Sequence, residues 1–308
     1  MRVALLFIDG VGIGPPDPRS NPLAREQFLQ SQFLDGSGAA LPPGGWLQSL
    51  DTTFGMPGRP QSASNQTAIY AAVDAPRLVE GHVAGYPSAA LRRLLKERSI
   101  AQKIRAARRT VTSANVYPLS YLDALGLPHA KSEADGVVIP HEHHRRLRAS
   151  ASVLAMAAGE VPLRTFHDAR RGRGLTHDID GALAKRRGWQ VPTRTPTEAA
   201  EVFWELSQDF TLFEHFLADE AGHAQDADAA LAALRTFDAF AREVISRRPA
   251  DTCVIVCSDH GNVEDLSTRN HTTHPVAALT FGLEGPRALR TVADVGRLVL
   301  DALGISSG

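Results

Sequence analysis

The chain has 308 residues, with 33 Lys and Arg against 34 Asp and Glu, 43% hydrophobic and 22% charged residues. That balance excludes a disordered or collagen-like chain, and a net charge of −1 provides no global field to recruit nucleic acid or an anionic membrane. No uninterrupted apolar run approaches the roughly 18 residues a membrane span needs.

Arg2–Ile8 reads as a short apolar strand buried on both faces. It ends at Asp9 and is too short for a secretory leader, so a reducing cytoplasm is the expected compartment. Gly10 to Pro18 breaks regular structure. Ser64–Val73 predicts a helix stopped before Pro76, and Ala89–Lys96 and Ile100–Arg109 predict two more. Val111–Tyr117 reads as a strand. Helix is expected over Pro196–Gln208, Ala227–Arg247 and Val292–Leu303. Strands are expected over Phe210–Leu217, Thr252–Ser258 and Val276–Phe281. Cys253 and Cys257, four apart on one predicted strand, stand roughly 13 Å from each other and cannot bridge.

Strands separated by helices predict a doubly wound α/β core with a mostly parallel sheet. The middle is rich in Arg, His, Gly and Pro, with one helical piece over Arg146–Ala158. We expect a discontinuous core, 1–117 and 196–308, carrying an inserted cap or substrate-specificity region over 118–195.

Four clusters carry chemistry, and three of them follow predicted strands. The first is Asp9-Gly10-Val11-Gly12-Ile13-Gly14-Pro15-Pro16. Its spacing is not G-x-G-x-x-G, and the prolines bar the continuous helix a dinucleotide site requires. What remains is a carboxylate at the C-terminal end of a strand, where open α/β sheets place their ligands. The second is Asp219-Glu220-Ala221-Gly222-His223, whose Asp and His converge on one ion if the turn is helical. The third is Ser258-Asp259-His260-Gly261-Asn262, followed by His271-Thr272-Thr273-His274-Pro275. Carboxylate with imidazole suits Zn²⁺ or Mn²⁺. The fourth is Gln61-Ser62-Ala63-Ser64-Asn65-Gln66-Thr67 at a helix start. Ser62 or Ser64 fits an N-cap there, and a serine at that place also suits phosphate binding and metal-assisted nucleophilic attack.

The order D-G at the first strand, Ser at a helix start, D-x-x-x-H, S-D-H-G-N and then N-H-T-T-x-P-V resembles the alkaline phosphatase superfamily. The branch it is most similar to is the metalloenzyme domain of cofactor-independent phosphoglycerate mutase and phosphopentomutase. The resemblance covers roughly 1–80 and 200–285. It implies Asp9, Asp259 and His260 on one metal with Ser62 beside it as nucleophile, and Asp219, His223 and His271 on the other. Ser64 and Thr67 are the alternative nucleophiles, and His274 is expected beside the site rather than on a metal. Asn65 and Gln66 depart from the family's Gly-His after the nucleophile.

The expected cofactors are two divalent ions, Mn²⁺ favoured by the resemblance and Zn²⁺ equally compatible with the ligand types. The expected partner is a small phosphorylated substrate, with neither nucleic acid nor membrane. Arg145, Arg148, Arg170, Arg171 and Arg173 in the middle region are candidate phosphate clamps. The reduced insert favours phosphoester hydrolysis over a phosphomutase reaction. A non-catalytic metal-binding module is the reading from another class.

Overall fold

The computed structural model describes residues 1–306; positions 307 and 308, the last two of the expected core, lie outside the described residues. Eight strands run in chain order: β1 Arg2–Ile8, β2 Gly45–Leu50, β3 Val111–Ser113, β4 Val116–Tyr117, β5 Arg164–Thr165, β6 Phe210–His215, β7 Thr252–Cys257 and β8 Val276–Phe281. Six of them form the central sheet in the order β2-β8-β7-β1-β6-β3, and β4 pairs with β5 in a separate two-stranded piece. β1 pairs parallel with both β6 and β7, and β3 pairs parallel with β6. Only β8 runs against its neighbours, β7 and β2. The α/β class and the mostly parallel sheet are as expected.

The continuous apolar run of β1 follows from burial on both faces. Val3, Leu5 and Phe7 join one core cluster, with the helices Ser62–Ala71, Ala89–Arg98, Ile100–Ala106, Ala151–Ala158 and Ala293–Ala302. Ala4, Leu6 and Ile8 join the other, with the helices Pro196–Glu205 and Ala227–Ser246. Alternate side chains of one strand therefore serve two layers. Cys253 and Cys257 sit in the first cluster as free, buried thiols.

Three local readings are corrected. The strand expected to run to Leu217 ends at His215, and the helix Leu217–Ala224 begins two residues later. The run Val111–Tyr117 divides into β3 and β4 at Ala114 and Asn115. The Asn115 side chain accepts from the Glu214 amide at 2.8 Å and donates to the Glu214 carbonyl at 2.9 Å. It supplies the ladder bonds with β6 while its backbone turns away. The helix expected over Arg146–Ala158 is a 3₁₀ turn, His141–Arg146, followed by a helix over Ala151–Ala158 capped by Ser150. Edge strand β2 carried no usable pattern, since most of its residues are exposed or half-buried.

The 118–195 stretch contributes to two hydrophobic clusters. Ala151, Val153, Ala155 and Met156 pack into the main core beneath the sheet. Phe166, Ala169, Ala184 and Val191 form a small cluster of their own with Trp189 and Val116. Among the described residues no helix is long and apolar enough to cross a membrane.

Candidate metal centre and active site

β1, β6 and β7 end nearly level, with Ile8 opposite His215 and Phe7 opposite Cys257. The acidic clusters are the residues that leave these strands, so the sheet register itself gathers them. Asp9, Asp259 and His260, all buried, offer ligand atoms within 4.8 Å of one another. Asp219, His223 and His271 form a second such group. The rings of His260 and His271 stack at 3.7 Å between centroids, which makes the two groups adjacent.

Ser62 is the first residue of the helix Ser62–Ala71, and its hydroxyl lies 2.8 Å from His260 Nε2. The N-cap position belongs to Gln61, whose side chain makes no capping hydrogen bond. The capping reading for the serines is thereby overturned. Ser64 Oγ donates to the Gln61 carbonyl and accepts from the Val83 amide, while Thr67 Oγ1 donates to the Ala63 carbonyl at 2.6 Å. Both alternative nucleophiles are engaged in the helix and its surroundings.

Asp219 and His223 stand one turn apart on Leu217–Ala224, with His223 Nε2 3.3 Å from Asp219 Oδ2. His223 Nε2 is also 3.1 Å from His271 Nε2. The remaining ring nitrogens are anchored by backbone: His223 Nδ1 to the Arg269 carbonyl at 2.7 Å and His271 Nδ1 to the Pro60 carbonyl at 2.8 Å. With Nδ1 so held, the two Nε2 atoms face each other beside the Asp219 carboxylate. Close approach explains two glycines. A Cβ at Gly10, where φ is +72°, would meet Asp219 Oδ1 at 2.6 Å, and one at Gly222 would meet Asn262 Oδ1 at 2.6 Å.

Burial, and then the charge of Asp259, push the Asp9 carboxyl well above its usual range. Burial alone would raise Asp219 too, but the hydrogen bond from His223, the charge of His260 and the Asn262 amide hold it low. His223 is raised to about 9, chiefly by its hydrogen bond to Asp219. Burial lowers His271, with His260 adding to the shift.

The donor set fits divalent metal ions. Asp9 Oδ1 is buried with no hydrogen-bond partner, and its carboxylate shares the site with that of Asp259 without an Arg or Lys to neutralise them. Paired buried carboxylates of this kind are stabilised by a cation. Two carboxylates with one imidazole, and one carboxylate with two, are both ordinary ligand sets for Zn²⁺ or Mn²⁺.

Several organising residues escaped sequence reasoning. The Gln66 amide donates to Asp9 Oδ2 at 3.1 Å and to Asp259 Oδ2 at 3.0 Å, clamping the two carboxylates together. Glu264 is fully buried and accepts from the Gly12 amide at 3.0 Å, the Asn262 amide at 2.7 Å, Thr272 Oγ1 and His274 Nδ1. It ties together the loops that carry Asp9, His260 and His271. His274 thus lies behind the ligands, as expected. Glu214, the last but one residue of β6, lines the cavity beside Ser62 and accepts from Tyr70 at 2.8 Å and Ser152 at 2.5 Å. Only the S-D-H-G-N-x-E spacing could have drawn attention to Glu264.

A cavity of about 480 Å³ opens beside Ser62 and Asp9. Arg148 lines it, but the other four arginines expected as clamps do not. Arg170 donates to the carbonyls of Asp135 and Ala134, and Arg173 pairs with Asp168 at 3.1 Å. Arg145 and Arg171 are solvent-exposed. Their charges serve the packing and surface of the 118–195 stretch itself.

The Metalloenzyme superfamily is the family whose model matches this chain, over residues 194–306. That match bears out the resemblance read from the motifs, over the C-terminal part of the chain. Over 91 residues it is 40% identical to a phosphopentomutase of Methylobacterium nodulans, a match covering 28% of this chain and 22% of that protein. Over 86 residues it is 35% identical to a 2,3-bisphosphoglycerate-independent phosphoglycerate mutase of Haloarcula marismortui, covering 26% and 17%. The chain thus spans about a fifth of the length of the curated relatives it matches. The alkaline phosphatase of the Antarctic bacterium TAB5 shares the fold, at a TM-score of 0.51 and 13% identity over 98% of both chains.

Proposed function

We propose that the protein catalyses metal-dependent phosphoryl transfer through a phosphoserine at Ser62, most simply as hydrolysis of a small phosphoester. The observation that carries this reading is the placement of the Ser62 hydroxyl 2.8 Å from His260 Nε2, at the edge of a buried carboxylate group and at a helix N-terminus. Asp9, Asp259 and His260 would hold one ion and Asp219, His223 and His271 the other, with Mn²⁺ favoured over Zn²⁺. When bound, the ions supply Lewis acidity that favours ionised serine and charge on the phosphoryl oxygens.

The chain's own part is positional. The first turn of Ser62–Ala71, uncapped by Gln61, offers backbone N–H groups and a favourable dipole to phosphate oxygens. Ser62 Oγ loses its proton and attacks phosphorus, and the bond to the departing alcohol oxygen breaks as that oxygen is protonated. In the second step water attacks phosphorus, gives up a proton, and Ser62 Oγ leaves and is reprotonated. In a mutase, a hydroxyl of the retained substrate replaces water. The two curated relatives described above are mutases, which supports that alternative.

The test is turnover of p-nitrophenyl phosphate by metal-stripped protein reloaded with Mn²⁺ or Zn²⁺, beside Ser62→Ala. Metal-dependent phosphate release that disappears in the variant is the expected result. Isomerisation of a sugar phosphate with no free phosphate would replace hydrolysis by the mutase reaction. Two bound metals with neither activity would leave a non-catalytic metal-binding module.

A further inference from the structure

The wall of the cavity beside Ser62 is a chain of rings. Tyr121 stacks on Tyr117 at 6.0 Å and 19°, Tyr117 meets His177 edge-on at 5.3 Å, and His177 lies 5.0 Å from Phe216. All four line the cavity, and Tyr86, 57% exposed, stands at its mouth. Burial holds the His177 imidazole down at about 4, so it is neutral near pH 7 and behaves as part of the aromatic wall. A second cavity of about 140 Å³ shares Tyr117, His177 and Phe216 and is lined further by Phe166 and Trp189, whose rings are 5.0 Å apart. The ring wall thus stands between two cavities, the smaller of which also counts Asp178 and Arg187 among its lining residues.

The charge of this lining is equally informative. Asp9, Glu214 and Glu220 supply carboxylates, and Arg148 is the one Lys or Arg among the lining residues. Arg148 is exposed, and its Nη1 already donates to the carbonyls of Arg145 at 2.7 Å and Leu147 at 2.8 Å. Bound ions would meet the transferred phosphate. A second anionic group on the substrate would find acidic neighbours and one half-committed cation. A flat uncharged ring would instead find faces to stack on and would lose no charge solvation.

We propose that this cavity selects phosphomonoesters of an uncharged alcohol carrying a flat aromatic ring, with Tyr117, His177 and Phe216 seating the ring. The proposal rests on the phosphoryl-transfer reading and names the substrate class for that same site. It separates the protein from enzymes acting on phosphorylated carboxylic acids, whose substrates need cationic partners at the far end.

Two measurements test it. The metal-loaded protein is given benzyl phosphate, ribose 5-phosphate and 3-phosphoglycerate, whose leaving oxygens are all aliphatic, so that leaving-group acidity does not decide the ranking. Benzyl phosphate is expected to show a kcat/KM at least about tenfold above the other two, carried mainly by KM. Tyr117→Leu and Phe216→Leu are expected to shrink that preference by about tenfold. Equal handling of the three esters, or variants that lower all three in step, would overturn the proposal. Separately, fluorine NMR of 4-fluorobenzyl alcohol is recorded with metal-free protein and with Tyr117→Leu. Line broadening by the wild type that Tyr117→Leu removes is expected. If no ester is turned over but this broadening persists, the phosphoryl reading fails and the ring site stands. No broadening, or broadening equal in the variant, sinks the ring site whatever the activity.

Discussion

The two candidate ligand groups differ in how they are built and in how they balance their charge. Asp9, Asp259 and His260 come directly off β1 and β7, are fully or almost fully buried, and place two carboxylates together. Asp219 and His223 come off one turn of a helix, His271 comes from a loop, and the His223 side chain is 47% exposed. The second group neutralises itself, because Asp219 pairs with a His223 whose pKa rises to about 9. In the first, two carboxylates share the Gln66 amide and one imidazole, His260, whose Nε2 lies 3.4 Å from both Asp9 Oδ1 and Asp259 Oδ2. Position on a rigid strand end brings precision and burial, and burial leaves like charges that need an ion. Position on a helix brings an internal counter-charge and exposure.

The sharpest way to break this contrast is Asp9→Asn. Metal-dependent turnover is expected to fall by about 10³-fold or more, and metal-dependent stabilisation to fall with it. Metal-free protein should respond in the opposite direction, melting higher than wild type at pH 7, because the substitution removes an ionisable carboxyl that burial and Asp259 disfavour. The sign with pH follows from the raised Asp9 value. A carboxyl raised in the folded state loses stability as pH climbs above its unfolded value of 3.8, and loses no more beyond its folded value. Melting of metal-free wild type and variant across that range checks it; parallel curves would mean that Asp9 is not strained.

His223→Ala probes the other half of the comparison. The expected loss in turnover is about 10²-fold, smaller because Asp219 and His271 remain on a partly exposed site. In metal-free protein the variant should be less stable, not more. The His223 contribution is fully present below 6.5, its ordinary value, and is lost as pH rises through about 9. Wild type should therefore lose a stabilising increment across that window and the variant should not. Differential scanning calorimetry of the metal-free proteins reads both signs.

Legibility in the sequence followed the same division. β1, β6, β7 and β8 are buried along most of their length, so their apolar runs stood out and the residues following β1, β6 and β7 could be read as ligands. The i, i+4 relation of Asp219 and His223 is readable as a possibility, although the expected strand runs two residues too far, onto the first residue of the helix that realises it. Residues that act by hydrogen bonding across the fold were invisible. Gln66 looked like a departure from a family pattern, and nothing local to Glu264 shows that it receives donors from Gly12 and Thr272. The arginines of 118–195 misled for the converse reason. Their charge is evident in sequence, but whether it faces a substrate or a carbonyl such as that of Asp135 depends on the insert's packing. β2 lacked the buried run that marks the other strands, since it pairs only with β8 at the sheet edge.

Glu264→Gln would sharpen the contrast without touching a ligand. The carboxylate accepts from four groups on the loops that carry both ligand sets. An amide keeps one acceptor oxygen and turns an NH₂ toward buried donors, a cost of about 2–3 kcal/mol. The melting temperature should drop by about 5–10 °C at pH 7. Because the loops serve both groups, affinity for both ions should weaken; loss confined to one would show that Glu264 supports only its own side.

The smallest effect is expected at His274. Its ring donates to Glu264 at 3.1 Å, and that hydrogen bond raises its pKa against the opposing effect of partial burial. A histidine raised in the folded state contributes stability that is complete below 6.5 and fades as pH rises through its folded value. His274→Ala should lower the melting temperature by an amount on the order of 2 °C near pH 6 and by less above that value. The Gly12, Asn262 and Thr272 donors still hold Glu264 in the variant, so the loops stay in place and turnover at neutral pH should change little. A pH-independent deficit would mean that His274 acts by packing alone. A large loss of metal would mean that it reaches forward to the ions rather than back to Glu264, and the division between ligands and their supports would have to be redrawn at this residue.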